Sequence, residues 1–276
     1  MTLGGVKVYV NIQQSVRNIS DESELQLVKT HDRPSSSSLL PLSQLLDDPS
    51  SSCRRSIHRV LKRLTLLPAG ADALLTLVPK LMLKLRQEKE EEEAQVLILS
   101  TLSSCSYQDP RSALANDGIS LLGHILSHRS TNIRREAADA LMAFRDRKEQ
   151  VCEQNLLPVL VDLLQDEDLE DQVNAVGVIM FTVTITTGKQ QCLDLDVLPV
   201  LLDFVRKKKE EEEEQDEERR RRRKALFLYS LRALTALAKA PGSRHLLVLE
   251  ARTESEEDQD IRRSAQSAIH VITWTP

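Results

Sequence analysis

A short leucine-rich stretch recurs along this chain at a nearly constant interval. Three copies begin with proline and share one frame: Pro79–Leu85, Pro158–Leu164 and Pro199–Val205. A degenerate copy at Leu42–Leu46 and a copy without proline at Leu121–Leu126 complete the series. The last apolar positions of successive copies are 39, 41, 38 and 41 residues apart, at Leu46, Leu85, Leu126, Leu164 and Val205. The sequence therefore predicts one helical unit repeated five times.

A second helix is predicted in each unit from small or apolar residues at positions i, i+3 and i+4. Residues at this spacing share one face of a helix with 3.6 residues per turn. The five sets are Ile57/Val60/Leu61, Ala137/Ala140/Leu141, Ala175/Val178/Ile179, Ser230/Ala233/Leu234 and Ala265/Ala268/Ile269. Small side chains on this face allow a buried helix to lie close to both of its neighbours in a stack.

Helical units with a period of roughly 40 to 47 residues are typical of HEAT and armadillo arrays. We therefore predict an all-α fold, an armadillo/HEAT-like α-solenoid of about five to six helical repeats, over residues 39–276. We expect one elongated domain, because each repeat buries its apolar face only against the next. Such an array has no single catalytic pocket by default and offers a long surface for binding other proteins.

Composition narrows the class of protein. Hydrophobic residues make up 41% of the 276 residues but aromatic residues only 3%, which suits a core of packed aliphatic helices. A formal net charge of −5 argues against general nucleic-acid binding, which usually comes with a basic face. The four cysteines form no CxxC pair, and we expect reduced, buried thiols in an intracellular protein. No stretch approaches the roughly 18 apolar residues of a transmembrane helix, and Met1–Val10 lacks the apolar segment of a secretory signal.

Two segments depart from the repeat. Residues 1–38 are expected to form a poorly ordered leader, in which Val6–Ile12 alternates like a strand and Asp32–Ser38 is a flexible, serine-rich linker. A charged insertion at 206–224 contains ten basic and eight acidic residues. We interpret it as a solvated helical extension or a mobile loop. Three pairs in it have the favourable acid-first i, i+4 order for helical ion pairs, namely Asp216/Arg220, Glu217/Arg221 and Glu218/Arg222.

The sequence offers no strong candidate for catalysis or ligand binding. His124 and His128 could share a helix face, but no third ligand accompanies them, so we expect a solvated or partly buried pair. Thr186–Lys189 lacks the first glycine of a phosphate loop, and we interpret Gly188 as a helix-ending residue. We therefore predict no enzyme, no cofactor, no small-molecule substrate, and no catalytic, cofactor-binding or metal-binding residues.

Acidic turns are the more informative polar feature, at Asp47–Asp48, Glu88–Glu93, Asp166–Asp171 and Glu254–Asp260. In a regular array, equivalent turns line up along one edge. Each turn by itself suits solubility and the preference for acids at helix N-termini. As a set, they could instead form an acidic edge that meets a basic partner.

Several segments of the chain resemble those of a known family. They are Ile133–Leu141, Leu157–Leu164, Val183–Lys189, Ala233–Gly242 and the ending Ala268–Pro276. Together with the Thr-Thr-Gly-Lys turn and the Trp-x-Pro terminus, they resemble the radial spoke head 14 family, armadillo-repeat proteins of motile cilia. The resemblance covers about Leu39–Pro276. Members of the family carry further N-terminal repeats, so we expect this chain to be shortened, with an exposed apolar face on its first repeat and its least stable region at residues 39–73.

The resemblance implies a non-enzymatic structural subunit of the radial spoke, in the cytoplasm, cytoskeleton and ciliary axoneme. Its expected partners are other radial spoke or axonemal proteins, with no membrane and no nucleic acid. The alternative is a soluble armadillo-type adaptor outside the axoneme. A catenin-like adaptor stays open, whereas an import receptor is disfavoured, because its groove needs a ladder of Trp and Asn. This chain has one Trp, Trp274, expected to cap the array, and only Asn174 as a candidate Asn.

Overall fold

The computed structural model describes residues 36–87, 89–207, 216–238 and 259–273. All regular elements among these residues are helices, and no strand occurs in them. The predicted all-α fold is therefore confirmed. The chain divides into two compact units, Met1–Leu122 and Gly123–Pro276, which are described separately. No helix of the described segments combines the length and apolarity needed to cross a bilayer.

The first unit contains six helices and the beginning of a seventh among its described residues. They are α1 (Ser36–Leu45), α2 (Ser51–Leu64), α3 (Pro68–Leu74), α4 (Val78–Arg86), α5 (Glu92–Gln108), α6 (Arg111–Leu114) and α7 (Gly118–Ile125), with a 3₁₀ turn at Leu75–Leu77. The boundary between the units falls inside α7.

The second unit continues the same order. Its helices are α8 (Thr131–Met142), α9 (Lys148–Glu153), α10 (Leu157–Leu164), α11 (Leu169–Thr182), α12 (Thr186–Asp194), α13 (Val197–Lys207), α14 (Glu217–Leu237) and α15 (Gln259–Thr273), with a 3₁₀ turn at Arg145–Arg147.

Each complete repeat consists of three helices, whereas the sequence pattern indicated two. A short first helix (α3, α6, α9 or α12) precedes the leucine-rich second helix (α1, α4, α7, α10 or α13) and the longer third helix (α2, α5, α8, α11 or α14). The first helices were missed because they are only four to nine residues long, too short to show a periodic apolar face. Three helices per repeat is the armadillo arrangement.

The third helices form the spine of each unit. In the first unit α2 packs on α5, and in the second unit α8, α11, α14 and α15 pack in succession. The predicted small-residue faces are buried on α8, α11 and α14, while Val60 of α2 is only partly buried. Ala265, Ala268 and Ile269 lie on α15, but their side chains are outside the described part of the structure.

The turn between first and second helices is built the same way three times. Asp117, Asn155 and Asp196 adopt left-handed backbone conformations, with φ of 59°, 54° and 52°, directly before or one residue before the second helix. Asp and Asn tolerate this region better than most residues because their short side chains bond locally. The repeat therefore fixes a turn residue as well as an apolar pattern.

Glycine is required where a first helix touches the preceding third helix. A Cβ at Gly188 would lie 2.2 Å from the carbonyl oxygen of Thr182, and one at Gly70 would lie 2.1 Å from that of Leu64. The prediction that Gly188 ends a helix is wrong, because it lies in the first turn of α12. Its role is to allow a close backbone approach.

The segments outside the repeat are partly described. Helix α1 begins at Ser36, so the last three serines of the predicted linker are helical; serine is well suited to a helix start. Residues 1–35, including Val6–Ile12, lie outside the described residues, as does Trp274. The expected exposed apolar face of the first repeat is not found among the described leucines of α1, since Leu39, Leu42 and Leu45 are buried.

The charged insertion is helical at both of its described ends. Arg206 and Lys207 end α13, and α14 begins at Glu217, while residues 208–215 lie outside the description. Two predicted ion pairs are present, Glu217–Arg221 at 3.3 Å and Glu218–Arg222 at 3.5 Å. The third differs: the Asp216 carboxylate caps the helix by accepting from the Glu218 N–H at 3.0 Å, and Arg220 pairs with Glu217.

Candidate protein-binding surface

The third helices of each unit present one side to solvent, and we call this side the third-helix surface. It is organised by ion pairs between consecutive repeats. In the first unit, Arg54 Nε of α2 donates to the Glu90 carboxylate at 3.0 Å, just before α5. Arg55 pairs with Glu91 and Glu93, and Arg59 also pairs with Glu93. Basic residues of one third helix thus meet the acidic turn before the next.

The same arrangement recurs in the second unit. Arg134 of α8 donates to the Asp166 carboxylate at 2.7 Å. Arg135 pairs with Asp168 and lies 3.5 Å from both Glu170 and Asp171. Helix α14 joins this cluster through Arg222, whose guanidinium lies 3.5 Å from Glu170. The second unit therefore uses an Arg-Arg pair in the same register as Arg54-Arg55.

A long donor side chain holds the turn before each third helix in four consecutive repeats. Arg54 donates to the carbonyl of Asp48, and Arg134 to that of His128, each six residues earlier. Gln172 reaches back six residues to Asp166 and Gln95 reaches back five to Glu90, at 2.6 and 2.8 Å. On α5, α8 and α11 this turn-closing residue directly follows the first buried residue of the helix, and on α2 it follows the partly buried Cys53.

These contacts give the acidic turns a role that the sequence analysis missed. Many of their carboxylates are paired inside the array rather than forming an unpaired acidic edge. Asp47 is also paired, but with Lys80 and Lys84 of the second helix α4, at 2.5 and 2.7 Å. These two ammonium groups lower the pKa of Asp47. In the last acidic run, Asp260 lies 3.5 Å from Lys224. The signal was an Arg-Arg pair about 35 residues before three of the four acidic runs, those at 88–93, 166–171 and 254–260.

Asp171 occupies a position that is apolar in the other described third helices of complete units. Ile133 of α8 and Leu226 of α14 stand four residues before the first residue of their predicted sets, as Asp171 does on α11. On α5, for which no set was predicted, the matching residue is Ala94, four residues before the buried Ile98. Asp171 is 0% exposed, and neither carboxylate oxygen has a hydrogen-bond partner. Burial raises its pKa to about 6, with the Asp168 charge adding to the shift and Arg135 opposing it.

His58 is the corresponding exception in the first unit. The equivalent position in the other third helices, counted by the repeat, is occupied by buried apolar residues: Leu99, Ala138, Val176 and Leu231. His58 is itself buried, and its Nε2 has no hydrogen-bond partner. Burial lowers the pKa of His58 to about 4, and the nearby charges of Lys84 and Arg54 act in the same direction. The imidazole is therefore neutral near pH 7.

Gly177 forms a close crossing in the second unit. A Cβ at Gly177 of α11 would lie 2.7 Å from the Met142 methyl carbon of α8 and 3.5 Å from the Tyr229 ring of α14. Asn174, the one candidate for an importin-like asparagine, is buried, and its amide donates to the Arg135 carbonyl at 3.3 Å. Asn174 therefore joins neighbouring repeats rather than facing a ligand.

The histidines and cysteines considered as candidate metal-binding or reactive residues do not come together in one site. Helix α7 ends before His128, whose Nδ1 accepts from the Ser130 N–H at 3.0 Å, so His124 and His128 do not share a helix face. In the described segments, no group of three His, Cys, Asp or Glu side chains is placed to hold a metal ion. All four cysteines are free thiols. Burial raises the pKa of Cys105 and of Cys192 to about 12, which disfavours the reactive thiolate.

Comparison with solved structures supports the armadillo arrangement. A designed armadillo repeat protein in complex with the peptide (KR)4 superposes with a TM-score of 0.67 at 17% identity, covering 84% of this chain and 98% of that one. Computationally designed armadillo repeat proteins for modular peptide recognition give a TM-score of 0.60 at 18% identity, covering 79% and 92%. An engineered protein gives a TM-score of 0.67 at 19% identity, covering 84% and 95%.

No protein-family model matches the sequence. At these identities the structural likeness concerns the fold. The chain has the fold of armadillo-repeat proteins, an all-α solenoid.

Proposed function

We propose that this chain is a non-enzymatic scaffold that binds other proteins through its third-helix surface. The observation that carries the proposal is the inter-repeat pairing, in which Arg54 and Arg134 each bind both their own turn and the acidic turn of the next repeat. These contacts fix neighbouring third helices in register. A surface held in register is suited to binding an extended or helical segment of a partner with little loss of conformational freedom.

The solved neighbours favour the same use. One is a designed armadillo protein with a bound peptide, and another belongs to designs for modular peptide recognition. We carry over to this chain only the general mode, the binding of a protein segment by stacked repeats.

The more specific proposal is a structural subunit of the axonemal radial spoke, in the cytoplasm and cytoskeleton of motile cilia, with other spoke proteins as partners. Its support is the set of phrases between Ile133 and Pro276 that resemble the radial spoke head 14 family. The alternative is a catenin-like adaptor outside the axoneme, which shares the fold and the binding mode.

Fractionation separates these two readings. A tagged copy of the full chain is expressed in multiciliated cells, which are then extracted with detergent. Retention in the axonemal pellet with spoke proteins is the expected result. A wholly detergent-soluble or nuclear protein would contradict the spoke assignment and favour the adaptor.

Matched charge reversals test the surface itself. Arg232→Glu changes an exposed residue of the third helix α14, and Asp162→Lys changes an exposed residue of the second helix α10. We expect the first variant to lose partner binding and the second to keep it. Equal loss from both variants would contradict the use of the third-helix surface.

A further inference from the structure

Among the described residues of the first unit, one ammonium group on the third-helix surface has no carboxylate partner. Arg55, Arg59 and Lys62 lie on one face of α2, at i, i+4 and i+7. The two arginines pair with Glu91 and Glu93. Lys62 Nζ instead donates to the Ser100 carbonyl at 3.3 Å and to Ser104 Oγ at 3.2 Å, and no carboxylate of the described residues lies within ion-pair distance of it.

The sequence of α5, the helix that faces Lys62, explains why no carboxylate of the described residues pairs with it. Acidic residues of α5 are confined to its first turn, and no charged residue occurs from Ala94 to Gln108. Helix α2 by contrast carries five Lys or Arg residues and no acid. The positive charge at the C-terminal end of α2 is therefore not balanced by α5.

Two large exposed side chains follow the two residues of this hydrogen bond along the chain. Leu66 is 74% exposed and Tyr107 is 53% exposed. Tyr107 follows Ser104 by three residues within α5, about one helical turn along. Leu66 follows Lys62 by four residues and lies just past the end of α2, where its N–H donates to the Arg63 carbonyl at 3.1 Å. Each residue therefore comes shortly after one partner of the Lys62–Ser104 hydrogen bond. Because that bond joins α2 to α5, the two side chains belong to one surface.

The position of these side chains in the repeat sets them apart from incidental exposed leucines. Each stands five residues after the buried leucine that closes the apolar face of its third helix, Leu61 for Leu66 and Leu102 for Tyr107. In the second unit the same position holds exposed Asp146 and Thr184. Isolated exposed apolar residues are common. Here, however, both third helices of the first unit have a large hydrophobic residue at this position, whereas two third helices of the second unit have a polar residue.

We propose that this patch, defined as Lys62, Leu66, Ser104 and Tyr107, docks a protein segment in which a carboxylate lies beside aliphatic side chains. The inference rests on the proposed scaffold function and names the chemistry of the partner. The partner's carboxylate accepts from the Lys62 ammonium, and its aliphatic groups cover Leu66 and Tyr107. A basic segment is rejected by the like charge, in the way that charge complementarity selects partners.

Three probe peptides test the chemistry by fluorescence anisotropy with the full chain. They are labelled ten-residue peptides of alternating Glu and Leu, alternating Glu and Ser, and alternating Lys and Leu. We expect the Glu-Leu peptide to bind most tightly, and its binding to weaken as salt rises from about 50 to about 300 mM. Lys62→Gln is expected to weaken binding by about tenfold and Leu66→Ser by about fivefold.

Leu83→Ser is the matched control, because Leu83 is 52% exposed on the second helix α4, outside the patch. It should leave binding unchanged. Equal binding of the Glu-Leu and Lys-Leu peptides, no binding of the Glu-Leu peptide, or an equal loss from Leu83→Ser would overturn the docking proposal. If the unmodified chain fails to bind the Glu-Leu peptide and the Lys62→Gln variant is still retained in the axonemal pellet, this docking site is overturned while the scaffold function stands.

Discussion

Arg135 Nε lies 3.5 Å from the fully buried Asp171 Oδ1, at the junction where the third helices α8 and α11 meet. Neither atom has a hydrogen-bond partner. The pair is thus an electrostatic contact without the hydrogen bonds that offset the desolvation of a buried ion pair. Replacing such a buried ion by a neutral group can be stabilising.

Asp171→Asn is expected to stabilise the second unit at pH 7.5 by about 1 to 2 kcal/mol. Because the folded-state pKa of Asp171 is raised to about 6, the folded state holds this proton more tightly than the unfolded chain. Its contribution to stability therefore rises as the pH falls through 6 toward 4. Urea unfolding of both proteins at pH 7.5 and 4.5 should show the advantage of the variant shrinking at the lower pH. An advantage that does not change with pH would contradict the assignment.

His58→Leu is expected to produce the opposite trend. The folded-state pKa of His58 is lowered to about 4, so the unfolded chain binds the proton more readily between pH 6.5 and 4. The wild-type protein therefore loses stability at this site as the pH falls below 6.5, by roughly 2 kcal/mol at pH 5. Leucine cannot titrate, and the difference between variant and wild type should widen from pH 7.5 to pH 5. A constant difference would exclude His58 as the titrating group.

Arg54→Ala is expected to cost about 2 kcal/mol of unfolding free energy, because it leaves the buried Glu90 carboxylate without its main partner and opens the turn at Asp48. Arg111→Ala is the control. Its pair with Asp109 is local, between residues two apart, and Arg111 is 86% exposed, so its loss should leave stability unchanged. Equal effects in chemical denaturation would contradict the inter-repeat role of Arg54.

Gly188→Ala is expected to destabilise the fold by about 2 to 4 kcal/mol, since the new methyl group would collide with the Thr182 backbone carbonyl. Gly177→Ala provides a contrast, because its closest neighbour would be the flexible end of Met142, with the Tyr229 ring at ordinary contact distance. The helix propensity of alanine should make that change neutral or stabilising by up to about 1 kcal/mol. Thermal unfolding of both variants measures the two losses of stability. A larger loss for Gly177→Ala than for Gly188→Ala would contradict the close backbone approach at Gly188.

The repeat and its buried faces could be predicted because they depend on local periodicity. The spacing of Leu46, Leu85 and Leu126 located the second helices, and sets such as Ala137, Ala140 and Leu141 located the third. The prediction that residues 39–73 form the least stable region stays a prediction, as does one continuous domain over 39–276.

The missed features depend on contacts between repeats. Pairs such as Arg134–Asp166 join residues 32 positions apart, and periodicity within one helix gives no sign of them. The role of Gly188 likewise depends on a backbone approach to Thr182 that no local rule specifies. An alignment of the repeats by their apolar positions would have shown that Asp171 and His58 are polar residues at positions that are apolar in the other repeats.

The most direct test of the scaffold account is site-specific photo-crosslinking of the full chain in ciliated cells. A benzophenone amino acid is placed at Arg232 on α14, and in a second protein at Asp162 on α10, both exposed. The account predicts a discrete crosslinked protein from the Arg232 position, identifiable by mass spectrometry, and none from Asp162. Crosslinks from Asp162 alone would show that partners bind the second helices, and would contradict binding through the third-helix surface.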